Sequence, residues 1–155
     1  MTDALAAGAC THLILEAETA ADLMEVNPIS IHDSATVQEA ISLLTDKGYS
    51  AVPVINAAGQ SVGVVSRWDI LVHDRERTGY PAGEEADPTR VRDIMTPAVF
   101  SVTPATPAVQ VIEQMAALGV HQLFVVDHDG ILVGVIPGLQ IIQHLRPHVF
   151  RPSLV

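Results

Sequence analysis

The feature that most constrains this chain is an internal duplication. Residues 22–73 align with residues 93–144 at a constant shift of 71 and without a gap. Asp22-Leu23-Met24 returns as Asp93-Ile94-Met95, Ser30 as Ser101, Ile41 as Ile112, Gly48 as Gly119, Val54 as Val125, Gly59 as Gly130 and His73 as His144. Each unit of about 55 residues is small for an independent core, so the copies need each other. The expectation is two repeats that bury their sheet faces against one another with pseudo-twofold symmetry, leaving two related clefts between them.

Within each copy the pattern reads helix, strand, strand, helix after a short opening segment. In 107–118, Val109, Ile112, Met115 and Ala116 recur at helical spacing, with Thr106 as N-cap, Pro107 at the first helical position and Gly119 at the left-handed C-terminal position. In the first copy Val37, Ala40, Ile41 and Leu44 form the stripe and Gly48 ends it. Two β-rich runs follow in each copy, joined at Asn56–Gly59 and Asp127–Gly130, the turn signals of a hairpin. Closing helices are expected at about 67–75 and about 138–146.

These signals divide the chain into an N-terminal arm (1–18), a first repeat (19–75), a linker (76–90), a second repeat (91–146) and a C-terminal tail (147–155). The linker region is dense in charge, Pro and Gly, the composition of a solvated connection. The start, MTDALAAGAC, lacks the basic region and apolar run of a signal peptide, so an arm is expected there.

Charge narrows the function classes. The formal net charge is −10, with eight Lys and Arg against eighteen Asp and Glu. That argues against a nucleic-acid partner, which needs a basic face, and against an anionic membrane surface. A small anionic ligand would need local positive charge or backbone donors. One cysteine, Cys10, leaves no disulfide framework and fits a cytoplasmic location.

The gapless duplication, the D-[LI]-M opening of each copy and the string Gly63-x-x-Ser66-x-x-Asp69 at a strand-to-helix junction together resemble the CBS-domain family (cystathionine-β-synthase-type domains), whose tandem pairs form Bateman modules. The resemblance covers roughly residues 19–146. It implies an α/β (α+β) fold of two β-α-β-β-α repeats. It also implies a regulatory module, not an enzyme, for adenosine-containing ligands such as AMP, ADP, ATP or S-adenosylmethionine. No cofactor is required; a bound adenosine nucleotide is the ligand expected.

Ser66 and Asp69 admit two readings. Ser-x-x-Asp is close to a capping box, contributing on the order of 1 kcal/mol without any ligand. The same hydroxyl and carboxylate, facing a cleft, can hold a ribose, and in the family these positions do so. The second copy has Pro137 and Gln140 instead, keeping the helix start and losing the carboxylate. His121 is the residue that the resemblance pairs with Asp69, toward phosphate; Gln122 stands beside it where the similar γ subunits of AMP-activated protein kinase carry Arg. Arg67 is the nearest fixed cation in sequence, and the resemblance sets Thr96 to Phe100 and Val120 beside the adenine. Trp68 is read as packing or an interface anchor.

Weaker constellations are set aside. Cys10-x-His12 and His144-x3-His148 have ligand spacing but no second pair, so no metal is expected. No nucleophile, base and orienting group fall together, so catalysis has no candidate. The primary expectation is a sensing module with one competent cleft, pairing as a homodimer and acting on a separate effector protein. The alternative is a ligand-free dimerisation or scaffold module.

Overall fold

The computed structural model describes residues 10–77, 87–97 and 100–150. Residues 1–9 of the arm, 78–86 of the linker, 98–99 of the stretch expected beside the adenine and 151–155 of the tail lie outside them. In chain order the first half contains β1 (Cys10–Leu15), α1 (Ala20–Leu23), β2 (Glu25–Val26), β3 (Ile31–His32), α2 (Val37–Lys47), β4 (Ala51–Ile55), β5 (Ser61–Ser66) and α3 (Arg67–Glu76). The second contains α4 (Val91–Ile94), β6 (Ser101–Val102), α5 (Ala108–Leu118), β7 (Gln122–Val126), β8 (Leu132–Pro137), α6 (Gly138–Gln143) and β9 (Leu145–Phe150). This is the mixed α+β architecture expected.

The long helices form where stripe, cap and glycine agree. The Thr36 hydroxyl accepts from the Glu39 N–H at 3.1 Å, and the Glu39 carboxylate accepts from the Thr36 N–H at 2.9 Å. This box satisfies donors that the first turn of α2 would leave unpaired. Gly48 and Gly119 end α2 and α5 at φ +69° and +65°, where a Cβ would be strained. In α5 the stripe is shifted from the one expected: Met115 is buried as expected, but Ala108 and Val111 join it, Ile112 is half-buried and Val109 is 61% exposed. Ala108, not Val109, is the counterpart of Val37. Pro107 itself occupies the cap, while the Thr106 hydroxyl turns back to accept from the Thr103 N–H at 3.1 Å.

The two hairpins have one register. Val52 opposes Val65 and Val54 opposes Gly63 in β4–β5; Leu123 opposes Ile136 and Val125 opposes Gly134 in β7–β8. Between the copies, contacts recur with the roles exchanged. Ala20 and Leu23 of α1 complete the second copy's core with Val111, Leu123, Val125 and Ile136. Val91 of α4 completes the first copy's core with Ala40, Leu44, Val52 and Val65. Burying a side chain such as Leu23 contributes roughly 2 kcal/mol, so each core lacks a wall without the other copy's opening helix.

This exchange explains the D-[LI]-M signature. The Asp22 carboxylate accepts from the Glu18 and Thr19 N–H groups at 2.9 and 3.2 Å, capping α1; those backbone donors hold it below the usual carboxylate range. Asp93 accepts from the Arg90 N–H at 3.0 Å in the same way. The methionines cross to the opposite hairpin. A Cβ at Gly134 would lie 2.7 Å from Met24 Sδ, and one at Gly63 would lie 2.7 Å from both Met95 Sδ and the Thr96 carbonyl oxygen. The glycine in each V-G-V frame therefore receives the other copy's methionine.

The exchange is not equal on both sides. After Met24 the chain continues as β2, pairing Glu25 with Val135 and Val26 with Gly134. After Met95 only Thr96 bridges to Val64, through N–H···O bonds of 2.8 and 2.9 Å. The counterpart of Val26 is Pro97, which has no N–H to extend a ladder. The sheets accordingly run β2-β8-β7-β6 and β3-β4-β5.

The end of the second repeat departs from expectation. The closing helix expected to reach about 146 stops at Gln143, and the chain becomes β9, antiparallel to β1 from Leu15↔Leu145 to Cys10↔Phe150. Pro147 cannot sit inside a helix, and Leu15 gains a place against the second core. Cys10–Leu15 and Leu145–Phe150 thus form a two-stranded ribbon.

Candidate ligand-binding cleft

The strand-to-helix corner after β5 is built by its own side chains. Asp69 Oδ2 accepts from the Ser66 N–H at 2.8 Å and from the Ser66 hydroxyl at 2.9 Å, while the Asp69 N–H donates to Ser66 Oγ at 3.2 Å. The capping box is therefore present. It uses one carboxylate oxygen. The other, Oδ1, has one long contact among the described residues, from the Thr96 hydroxyl at 3.4 Å, and Asp69 lines a cleft between the copies.

That cleft has a volume of about 570 Å³. Five of the six residues expected at a binding site line it: Ser66 and Asp69 from the first copy, and Thr96, Val120 and His121 from the second. They converge because Thr96 is bridged to β5 and because the corner before β7 lies opposite the corner after β5. The apolar walls are Ala51, Val64, Phe100 and Phe124. Val64, Phe124 and Ser50 were not singled out from sequence, whereas Gln122 was noted beside His121. Ser50 is the 71-residue counterpart of His121, so the repeat carried a signal for it.

Arg67 is the exception. Its Nε donates to the Tyr49 carbonyl at 2.9 Å, and it borders a different groove with Leu44 and Leu71. Being next to Ser66 in sequence sends it the other way, because successive residues at a helix start project about 100° apart. Trp68, 70% exposed, does not line the cleft either.

The cleft on the other side, about 450 Å³, is lined by Glu25, Asn27, Tyr49, Val52, Gln122 and Pro137 among others. Gln140, the counterpart of Asp69, donates from Nε2 to Glu25 Oε1 at 2.9 Å. Glu25 is the counterpart of Thr96, so the hydroxyl-to-carboxylate contact of the first cleft returns as amide-to-carboxylate with the acid on the opposite wall. Pro137 makes no side-chain cap hydrogen bond.

The spacings considered for a metal fall at the end of α6 and on the β1–β9 ribbon. His144 Nδ1 lies 2.7 Å from the Gln140 carbonyl oxygen, and the ribbon sets His148 opposite His12. Among the described residues a group of three possible ligands occurs at Asp127, His128 and Asp129, where Asp127 Oδ1 already accepts the Asp129 and Ile131 N–H groups of the turn.

Comparison with known proteins places this geometry. The CBS domain family profile matches residues 20–76 and 91–146. The γ-3 subunit of 5′-AMP-activated protein kinase from Bos taurus is 32% identical over 114 residues, which are 73% of this chain and 23% of that protein. The chain thus spans about a quarter of the length of that relative. Among solved structures, CBSX2 in complex with AMP superposes with a TM-score of 0.69 at 27% identity, over 82% of this chain and 95% of that one. The cytosolic domain of the Mg2+ channel MgtE in complex with ATP gives 0.66 at 28% identity, over 83% and 49%. No helix among the described residues is long and apolar enough to cross a membrane. With both repeats matched and tandem CBS pairs as its structural neighbours, this chain belongs to the CBS-domain family.

Proposed function

We propose that this protein is a regulatory module that binds one adenosine-containing ligand in the cleft between Asp69 and His121. The observation that carries the reading is the division of labour on Asp69. Oδ2 holds the helix cap, while Oδ1 is engaged among the described residues only by the long Thr96 contact, leaving an acceptor for a ribose hydroxyl in the cleft that Asp69 lines. Phe100, Val120 and Phe124 provide apolar surface for a base. The similar structures in complex with AMP and ATP support the ligand class. The second cleft is a poor partner, because its acid and amide satisfy each other. The role is binding without catalysis, with the output passed to a separate effector protein in the cytoplasm.

The module pairs as a homodimer on this reading. Trp68 and Leu71 of α3 and their counterparts Leu139 and Ile142 of α6 are each at least 60% exposed, and a patch presented twice is suited to a self-complementary contact. Calorimetric titration of the full chain with adenosine, AMP and ATP tests the binding. One equivalent bound, and lost in Asp69→Ala, is the expected result. No binding by any of them would instead favour a ligand-free scaffold.

A further inference from the structure

We infer that the cleft selects a nucleoside whose 5′ substituent is neutral or cationic, and that each added phosphate weakens binding; this rests on the nucleoside reading above. Of the eight Lys and Arg in the chain, only Arg151 lies outside the described residues, and none of the others lines the cleft. The nearest, Arg67, is turned to the Tyr49 carbonyl, Arg77 is paired with Asp87 at 2.7 Å, and Arg90 donates to the Ser34 carbonyl at 3.2 Å.

Four backbone donors at the cleft's corners are already engaged. The Arg67 N–H at the start of α3 donates to the Ser50 carbonyl at 3.0 Å, the Gly138 N–H to the His121 carbonyl at 2.9 Å and the Val120 N–H to the Met115 carbonyl at 3.2 Å. The Asp69 N–H is held by Ser66 Oγ. A phosphate chain would meet the imidazole of His121 and the neutral amide of Gln122. The cleft's own carboxylate and a formal chain charge of −10 repel it. A thioether or sulfonium at the 5′ position meets none of that opposition, and the apolar wall suits it.

The test is calorimetric titration of the full chain with 5′-methylthioadenosine, adenosine, AMP, ADP and ATP at low and moderate salt. The expected order places 5′-methylthioadenosine tightest, with affinity falling roughly threefold or more per phosphate and the gap narrowing as salt rises. Gln122→Arg, which adds a fixed charge to the lining, is expected to raise AMP affinity relative to 5′-methylthioadenosine. AMP, ADP or ATP binding tightest to the unmodified chain would overturn the selectivity while leaving the nucleoside site standing. An unchanged AMP preference in Gln122→Arg would also overturn it. No binding by any of the five would overturn the nucleoside reading itself, and this inference with it.

Discussion

At the corner after β5, Asp69 commits one carboxylate oxygen to the helix cap and leaves the other to the long Thr96 contact, in a cleft that both residues line. At the corner after β8, Pro137 starts the helix without a side-chain cap, and Gln140 closes onto Glu25. The backbone register leading to the two corners is identical under the shift of 71. The difference teaches that the fold and the binding chemistry rest on separate positions. The V-G-V frame is required twice because each hairpin must admit the other copy's methionine, whereas the carboxylate is required only where something is to be held.

The largest expected effect tests the shared frame. Gly63→Ala sets a Cβ against the carbonyl of Thr96, a residue whose backbone is fixed to Val64 by two hydrogen bonds, whereas Gly134→Ala meets the flexible Met24 side chain. Urea unfolding should show a loss of about 2–3 kcal/mol for the first and about 1 kcal/mol for the second. Equal losses would mean that the two frames are equally tight.

Next comes the corner chemistry. Asp69→Ala should lower nucleoside affinity tenfold or more and stability by about 1 kcal/mol. Asp69→Asn should restore most of the stability and little of the affinity, since an amide oxygen can still accept from the Ser66 N–H. Gln140→Ala should leave affinity within about twofold and stability within roughly 0.5 kcal/mol. If Asp69→Asn bound as well as wild type, Asp69 would be a cap alone.

The comparison can also be reversed. Replacing Pro137→Ser and Gln140→Asp together rebuilds the corner but sets a new carboxylate against Glu25. Binding stoichiometry should stay at one ligand until Glu25→Thr is added, and then rise to two. A second equivalent in the double variant would show that the acid on the opposite wall is no barrier.

The smallest effect concerns the helix ends. His73 Nε2 lies 2.8 Å from Asp87 Oδ2, which also receives Arg77, and Asp87 Oδ1 accepts from the Thr89 N–H at 3.0 Å. Its counterpart His144 turns to a carbonyl of its own helix. Burial pushes the Asp87 carboxyl up, but the His73 and Thr89 hydrogen bonds outweigh it and hold the group well below the usual range. A depressed carboxylate contributes stability that is complete above its unfolded value near 4 and is lost as pH falls through the lower folded value. Asp87→Asn should therefore flatten the acid limb of a thermal-unfolding profile between about pH 5 and 2, and a His144 variant should not.

Much of the fold was legible because its signals are local. The stripe Val37, Ala40, Leu44, the αL glycines and the turn residues each act within a few positions. The Val109 phase failed because apolar residues fall on more than one face of Ala108–Leu118, with Ala108, Val111 and Ile112 close to Val109, so periodicity does not single out one face. The β1–β9 ribbon was missed because its strands are joined across the whole chain. At the cleft, Ser66 and Asp69 were readable as a pair, while the direction taken by Arg67 depends on a carbonyl eighteen residues away.

The sequence by itself determined the duplication, the two hairpins, the capping box and the absence of a second carboxylate at position 140, because each is written in residue type and spacing. Only the tertiary structure decided that each opening helix completes the other copy's core, that Thr96 and His121 reach the Asp69 cleft, that Gln140 is answered by Glu25, and that no Lys or Arg among the described residues lines that cleft. Those outcomes depend on which surfaces bury which. A repeat too small to close its own core must borrow a wall, and its choice of wall sets every distance in the cleft.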